Sequence, residues 1–186
     1  MAQTASNLIS VADYLTGEQL SPVRHEYLNG HVYALVGASD RHGLIALSIA
    51  SALRSHLRGG PCQVFIADMK VRIESATEDK FYYPDVLVSC AADDRERYFR
   101  RAPRLIVEVL SDATERLDRG EKFQAFCRLE SLQEYLLVSQ ERELVELFRR
   151  EAEWESELYG FSDTVALRSV DLELPIAWVY EDIEHS

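Results

Sequence analysis

The chain has few cysteines, no long apolar run and no compact phosphate-binding or nucleophile motif, and each lack removes a class of protein. Its three cysteines, Cys62, Cys90 and Cys127, are odd in number, scattered and free of any C-x-x-C pair. Neither a disulfide framework nor a zinc knuckle is expected, and each is read as a small core hydrophobe. No apolar stretch approaches the roughly 20 residues of a bilayer-spanning helix. The start, MAQTASNLIS, lacks the basic and apolar regions of a signal peptide, so a cytoplasmic protein with no membrane partner is expected. A G-x-S-x-G elbow, a P-loop and a G-x-G-x-x-G turn are all missing, which sets aside triad hydrolases, nucleotide triphosphatases and dinucleotide enzymes. His25, His31, His42, His56 and His185 show no H-E-x-x-H or similar metal spacing. With no repeat, low-complexity tract or Pro/Gly/Ser-rich linker, residues 1–186 read as one domain, residues 1–7 being loose.

Positive charge is also scarce: 20 basic residues face 32 acidic ones, a net charge of −12. That argues against a nucleic-acid partner, since neutralising phosphates takes Lys and Arg. The imbalance is local, because residues 141–186 hold 13 acidic and 4 basic residues and leave only −3 for the rest. Within that rest, DDRERYFRRAPR gathers Arg95, Arg97, Arg100, Arg101 and Arg104, read as a solvated loop pairing with its own Asp93, Asp94 and Glu96.

Ser10 with Asp13 three residues on predicts a short helix through SVADYLTGEQL. HEYLNGHVYAL holds Asn29-Gly30 between two β-prone runs, a hairpin signal. From Arg41 to Leu57 the positions Ala46, Ile49, Ala50, Leu53 and Leu57 recur at helical spacing until Gly59-Gly60-Pro61. QVFIA, MKVRIE and YYPDVLVS read as strands, and RLIVEVL, apolar on both alternating faces, as a central one. Asp118, with Glu121 three residues later, reads as the cap of a helix through Leu129 with a core stripe of Phe123, Phe126 and Cys127. YLLVS, ELVELFRR and ESELYGF follow as strands, then a short VDLEL segment and an apolar stop at AWVY. The order predicts an α/β (α+β) fold, a mixed sheet with helices packed on it.

Glu108 stands alone among the apolar residues of RLIVEVL, on the face of Ile106 and Leu110. An ionised carboxylate there needs a cation, a hydrogen-bond network or an opening to water. Asp85, after Pro84, begins a neighbouring strand; if the two strands pair, the acids converge and make a hard oxygen site suited to Mg²⁺ or Mn²⁺. Lys122 flanks the buried stripe of the next helix, and helical side chains lean toward the N-terminus, back toward the strand end. His42 opens the long helix, where it could face the same site. The plainer readings stand beside these: Glu108 in an internal ion pair, Asp85 a turn residue, Lys122 a surface lysine, His42 a capping or surface residue, Glu26 a hairpin surface charge. Tyr82, Tyr83, Tyr98 and Phe99 read as packing residues rather than base-stacking ones.

Pro84-Asp85 followed by Glu108 resembles the PD-(D/E)XK restriction-endonuclease-like superfamily. The ordered set ISVADYL, HEYLNGHVY, RHG, YYPDVLV, PRLIVEVLSDAT, Asp118 with Lys122, and EYLLV resembles its Uma-two family over residues 8–150. The resemblance implies a restriction-endonuclease-like mixed sheet flanked by helices. It also implies Asp85, Glu108 and the main-chain carbonyl of Val109 as ligands of Mg²⁺ or Mn²⁺, and hydrolysis of DNA by a metal-activated water. The superfamily's lysine stands two residues after the acid, where this chain has Leu110; the resemblance implies that Lys122 has taken its place, with Glu26 as an additional acid. The alternative is a non-catalytic interaction module that keeps the fold; hydrolysis of a smaller phosphate ester is a third reading. Homodimers are common among such enzymes, and the exposed strands would support one here.

Overall fold

Ser10 opens the first helix as its S-x-x-D pattern requires. In this computed structural model, which describes residues 8–112 and 114–183, Ser10 Oγ accepts the Asp13 amide at 3.1 Å and caps α1 (Val11–Leu20), satisfying a donor that the first turn leaves free. The expected loose segment, residues 1–7, lies outside the described residues. β1 (His25–Leu28) and β2 (His31–Ala34) form the hairpin. Asn29 and Gly30 both have positive φ, 50° and 95°, the backbone that a two-residue turn of the right twist needs. α2 (Asp40–His56), capped by Ser39, buries Ile45, Ile49, Ala50 and Leu53.

β3 (Gln63–Ile66), β4 (Lys70–Glu74), β5 (Asp79–Tyr82), β6 (Val86–Ser89), β7 (Phe99–Arg100) and β8 (Pro103–Leu110) come next. The helices α3 (Glu115–Asp118) and α4 (Glu121–Cys127) then lead to β9 (Glu134–Ser139), β10 (Leu144–Arg149), β11 (Ser156–Gly160), β12 (Thr164–Leu167), β13 (Leu172–Pro175) and α5 (Ile176–Val179). The strands make a five-stranded sheet in the order β2-β1-β5-β4-β7, a six-stranded sheet β11-β10-β9-β8-β6-β3, and the pair β12-β13. β8 is an inner strand, antiparallel to β6 and parallel to β9, and the parallel step is bridged by α3 and α4, as such a crossover requires. One face of β8, Leu105, Val107 and Val109, packs with Ile45, Ile49 and Leu53 of α2; the other, Ile106 and Leu110, packs with Phe126, Tyr135 and Leu137. This is a mixed α+β fold with helices on its sheets.

Several expectations change. YYPDVLVS is two strands, because Tyr83, Pro84 and Asp85 carry the chain from the five-stranded to the six-stranded sheet and Pro84 has no amide for either ladder. Asp118 is not a cap: the expected helix divides at Arg119-Gly120 and Asp118 ends α3. A Cβ at Gly120 would stand 2.8 Å from the Arg116 carbonyl, so the chain turns there more tightly than a continuing helix permits. Cys62 and Cys90 form a disulfide, their Cα atoms 4.0 Å apart. Gln63 pairs with Ser89 across β3 and β6, which makes the two cysteines the next neighbours across the ladder, a relation invisible in their spacing of 28. Cys127 is free, and burial pushes its thiol up to about 12, so it is inert.

The arginine-rich loop does not pair with its own acids as expected. Arg101 reaches Glu74 at 2.6 Å, Arg104 donates to the Ser169 carbonyl at 2.6 Å, and Arg100 is buried over the Phe65 ring. Asp94 instead accepts the main-chain amides of Arg101 and Ala102. Tyr82, Tyr83 and Phe99 are packing residues as expected, while Tyr98 is partly exposed. The VDLEL segment is β13, paired with β12, which sequence reasoning left out, and AWVY lies on α5. Among the described residues no helix is long and apolar enough to cross a membrane.

Candidate functional site

Val86 pairs with Val107 in the β6–β8 ladder, and continuing that register by one residue sets Asp85 opposite Glu108, with both side chains on one face. Asp85 closes the ladder: its Oδ2 accepts the Val109 amide at 2.7 Å and its Oδ1 lies 2.9 Å from His42 Nε2. A residue's N–H and C=O point to the same side of a strand, so the Val109 carbonyl lies on the side of β8 from which its amide reaches Asp85.

Lys122 comes from the start of α4, aimed back at the end of β8. Its Nζ lies 2.9 Å from Glu108 Oε1, 3.3 Å from Asp118 Oδ1 and 3.5 Å from Glu26 Oε1. All four side chains are buried, Glu108 at 2 % and Lys122 at 5 % exposure. Glu26 arrives from β1 in the other sheet and also accepts the Tyr83 amide at 3.4 Å. The end of α3 is held by Tyr135, whose hydroxyl donates to the Asp118 carbonyl at 3.0 Å.

Three buried carboxylates therefore share one ammonium. Burial raises the carboxyls of Glu26 and Glu108, Glu108 well above its ordinary value, with Lys122 opposing the rise in both. Burial alone would lower Lys122, but Glu108, Glu26 and Asp118 outweigh it and hold the ammonium well above its ordinary range. The hydrogen bond to Asp85 raises His42 against its partial burial. Glu108 Oε1 and Asp118 Oδ1 are buried with no aligned hydrogen bond besides the close approach of the Lys122 ammonium.

These residues line a cleft of about 410 Å³ whose rim includes Ser39, Ser111, Asp112, Gln140 and Glu141. Sequence reasoning named Asp85, Glu108, Lys122 and Glu26, and the structure brings all four to this cleft. It gave Asp118 and His42 other roles. Asp118 is one helical turn before Lys122, the i,i+4 spacing that pairs charges, and that was its available signal. For His42 the signal was its place at the opening of α2, from which the site-facing reading came second to a cap; its contact with Asp85 depends on how α2 crosses the sheet. Among the described residues no three His, Cys, Asp or Glu side chains are already gathered at ligand spacing. The donor set that the family resemblance implies does not require three, since it combines two carboxylates with a carbonyl. Oxygen donors and an excess of buried carboxylates over cations suit a hard divalent cation.

The fold is that of a nuclease-like α+β protein. The chain belongs to the Uma2 family, described as "Putative restriction endonuclease", whose model matches residues 11–178. The uncharacterised protein slr1290 of Synechocystis sp. (strain ATCC 27184 / PCC 6803 / Kazusa) is 34 % identical over 178 residues, covering 94 % of this chain and 93 % of that protein. A second protein of that organism, sll1609, also uncharacterised, is 28 % identical over 143 residues, 75 % of this chain and 80 % of its own. A crystal structure from Anabaena variabilis ATCC 29413, described as a "putative nuclease belonging to DUF820", superposes with a TM-score of 0.74 at 18 % identity over 93 % of this chain and 98 % of that one, a likeness of fold.

Proposed function

We propose that this chain is a metal-dependent endonuclease that hydrolyses phosphodiester bonds of DNA in the cleft of Asp85, Glu108 and Lys122. The observation that carries the reading is one protonated lysine buried among more carboxylates than it can neutralise. Asp85, Glu108 and the Val109 carbonyl would hold Mg²⁺ or Mn²⁺, which when bound polarises a phosphate oxygen and lowers the pKa of a bound water. Lys122, held as an ammonium, donates rather than accepts protons: it orients the attacking water and stabilises negative charge growing on the phosphate. Glu26 and Asp118 fix the ammonium from two sides, so its position costs nothing further when substrate arrives. His42 and the Val109 amide hold Asp85 in one rotamer.

A non-catalytic module is the second reading, favoured by Leu110 in the usual lysine position and by the net charge of −12. Incubating supercoiled plasmid and short single- and double-stranded DNA with the protein in Mg²⁺ or Mn²⁺ separates the two. Cleavage by the wild type that disappears in Glu108→Gln and Asp85→Asn supports the nuclease. No cleavage of any DNA form with either metal, or hydrolysis only of small phosphate esters, overturns it.

A further inference from the structure

A second cavity, of about 310 Å³, shares Tyr83 with the candidate site and is also lined by Glu18, Arg24, Asp68, Lys70 and Tyr98. Lys70, the first residue of β4, is 5 % exposed. Its Nζ donates to the Tyr83 hydroxyl at 3.1 Å and lies 5.0 Å from the centre of that ring. The nearby acids are committed elsewhere. Glu18 accepts the Tyr83 hydroxyl at 2.8 Å and the His25 amide at 2.8 Å, and its other oxygen lies 3.0 Å from His25 Nδ1; Asp68 pairs with Arg24 at 2.8 Å. Lys70 is thus a buried ammonium whose partner is a neutral hydroxyl, the arrangement that burial penalises most. Burial accordingly lowers its pKa, the reverse of Lys122 in its ring of acids. Glu18 and Asp68 act on the ammonium from a distance, and an anion entering the cavity would supply a counter-charge in direct contact with it.

We propose that this cavity binds a phosphate group of a nucleotide, with Lys70 as its buried cation, Arg24 as a second cation at the rim and the partly exposed Tyr98 ring beside the attached sugar or base. Tyr83 links the two cavities: its hydroxyl serves Lys70 and its amide serves Glu26, while Asp85 follows two residues later. Binding does not depend on cleavage.

Titration calorimetry in EDTA, with no divalent metal present, tests it on the full chain using inorganic phosphate, thymidine 5′-phosphate, the dinucleotide TpT and thymidine. Thymidine 5′-phosphate or TpT is expected to bind and thymidine not to; the first alone identifies a terminal phosphate, the second an internal phosphodiester. Lys70→Met should weaken binding about tenfold or more, the loss of a charged hydrogen-bond donor, with an unchanged circular dichroism spectrum. Should that variant fail to fold, Arg24→Gln at the rim should still weaken binding and flatten its salt dependence. Absence of binding of every phosphate by folded wild type, or full binding by Lys70→Met, overturns the proposal. A protein that binds phosphate in EDTA yet never cuts DNA leaves this site standing and removes the nuclease reading.

Discussion

Replacing Lys122 by methionine keeps most of its volume and removes the cation that three buried carboxylates share. The contacts are at 2.9, 3.3 and 3.5 Å, and a pair at such distances is worth about 5 kcal/mol at an effective dielectric constant of about 20. Three pairs would exceed any plausible loss, but two terms oppose them: the ammonium no longer has to be desolvated, and the abandoned acids take up protons. The net cost of stranding buried charge is about 3–5 kcal/mol. Its pH dependence follows from the carboxyls. Glu26 and Glu108 are raised in the folded protein, so the native state binds protons more readily than the unfolded chain. Stability from this source is complete below the ordinary carboxyl range near 4.5 and is lost as pH rises through the folded values. Urea unfolding followed by circular dichroism at pH 7.5 and pH 5 measures both effects. Lys122→Met should lose about 3–5 kcal/mol at pH 7.5 and distinctly less at pH 5. A loss below about 1 kcal/mol at pH 7.5, or one that does not shrink on acidification, would refute the shared-cation geometry.

Other perturbations follow from the same contacts. Glu108→Gln removes a fully enclosed acid of an over-acidic cluster, so the metal-free variant should melt about 2–4 °C higher in a calorimetric scan while cleavage is lost; a lower melting temperature would contradict the charge excess. His42→Gln should cost stability below about pH 6.5, where the raised His42 is a cation against Asp85. That difference from wild type should fade as pH rises through the folded value, and unfolding free energies at several pH values check it. Reducing the Cys62–Cys90 bond, which closes a separation of 28 residues, should cost about 3 kcal/mol, visible as a lower melting temperature in dithiothreitol that Cys62→Ser reproduces and dithiothreitol does not deepen.

Legibility in the sequence tracked how local the controlling physics was. Asn29-Gly30 announced its hairpin because two consecutive positive φ values are a property of the turn itself, and α2 announced itself through apolar spacing that one helix suffices to produce. RLIVEVL declared an inner strand, and Glu108 within it declared a buried acid needing a partner. The partner's identity was partly legible, since Lys122 follows on the helix that must cross back over β8. What resisted was set by tertiary register. The disulfide exists because β3 and β6 pair antiparallel with matching ends, yet Cys62 just before QVFIA and Cys90 just after YYPDVLVS were visible and unused as a hint. Glu26 looked like hairpin surface because β1 is too short to show alternation, whereas Lys122 of α4 and the Tyr83 amide meet it from distant parts of the chain. Asp118 was assigned to a cap because Asp followed by Glu at three residues fits a helix start, whereas Gly120 had already broken the helix there.

Calorimetric titration of Mn²⁺ into wild type, Asp85→Asn and Glu108→Gln tests most directly whether the paired strands and the crossing lysine build a cation site. Wild type should bind the ion in this cleft, and each substitution should abolish the binding heat while the fold persists. Equal Mn²⁺ binding by all three proteins, or none by the wild type, would contradict it.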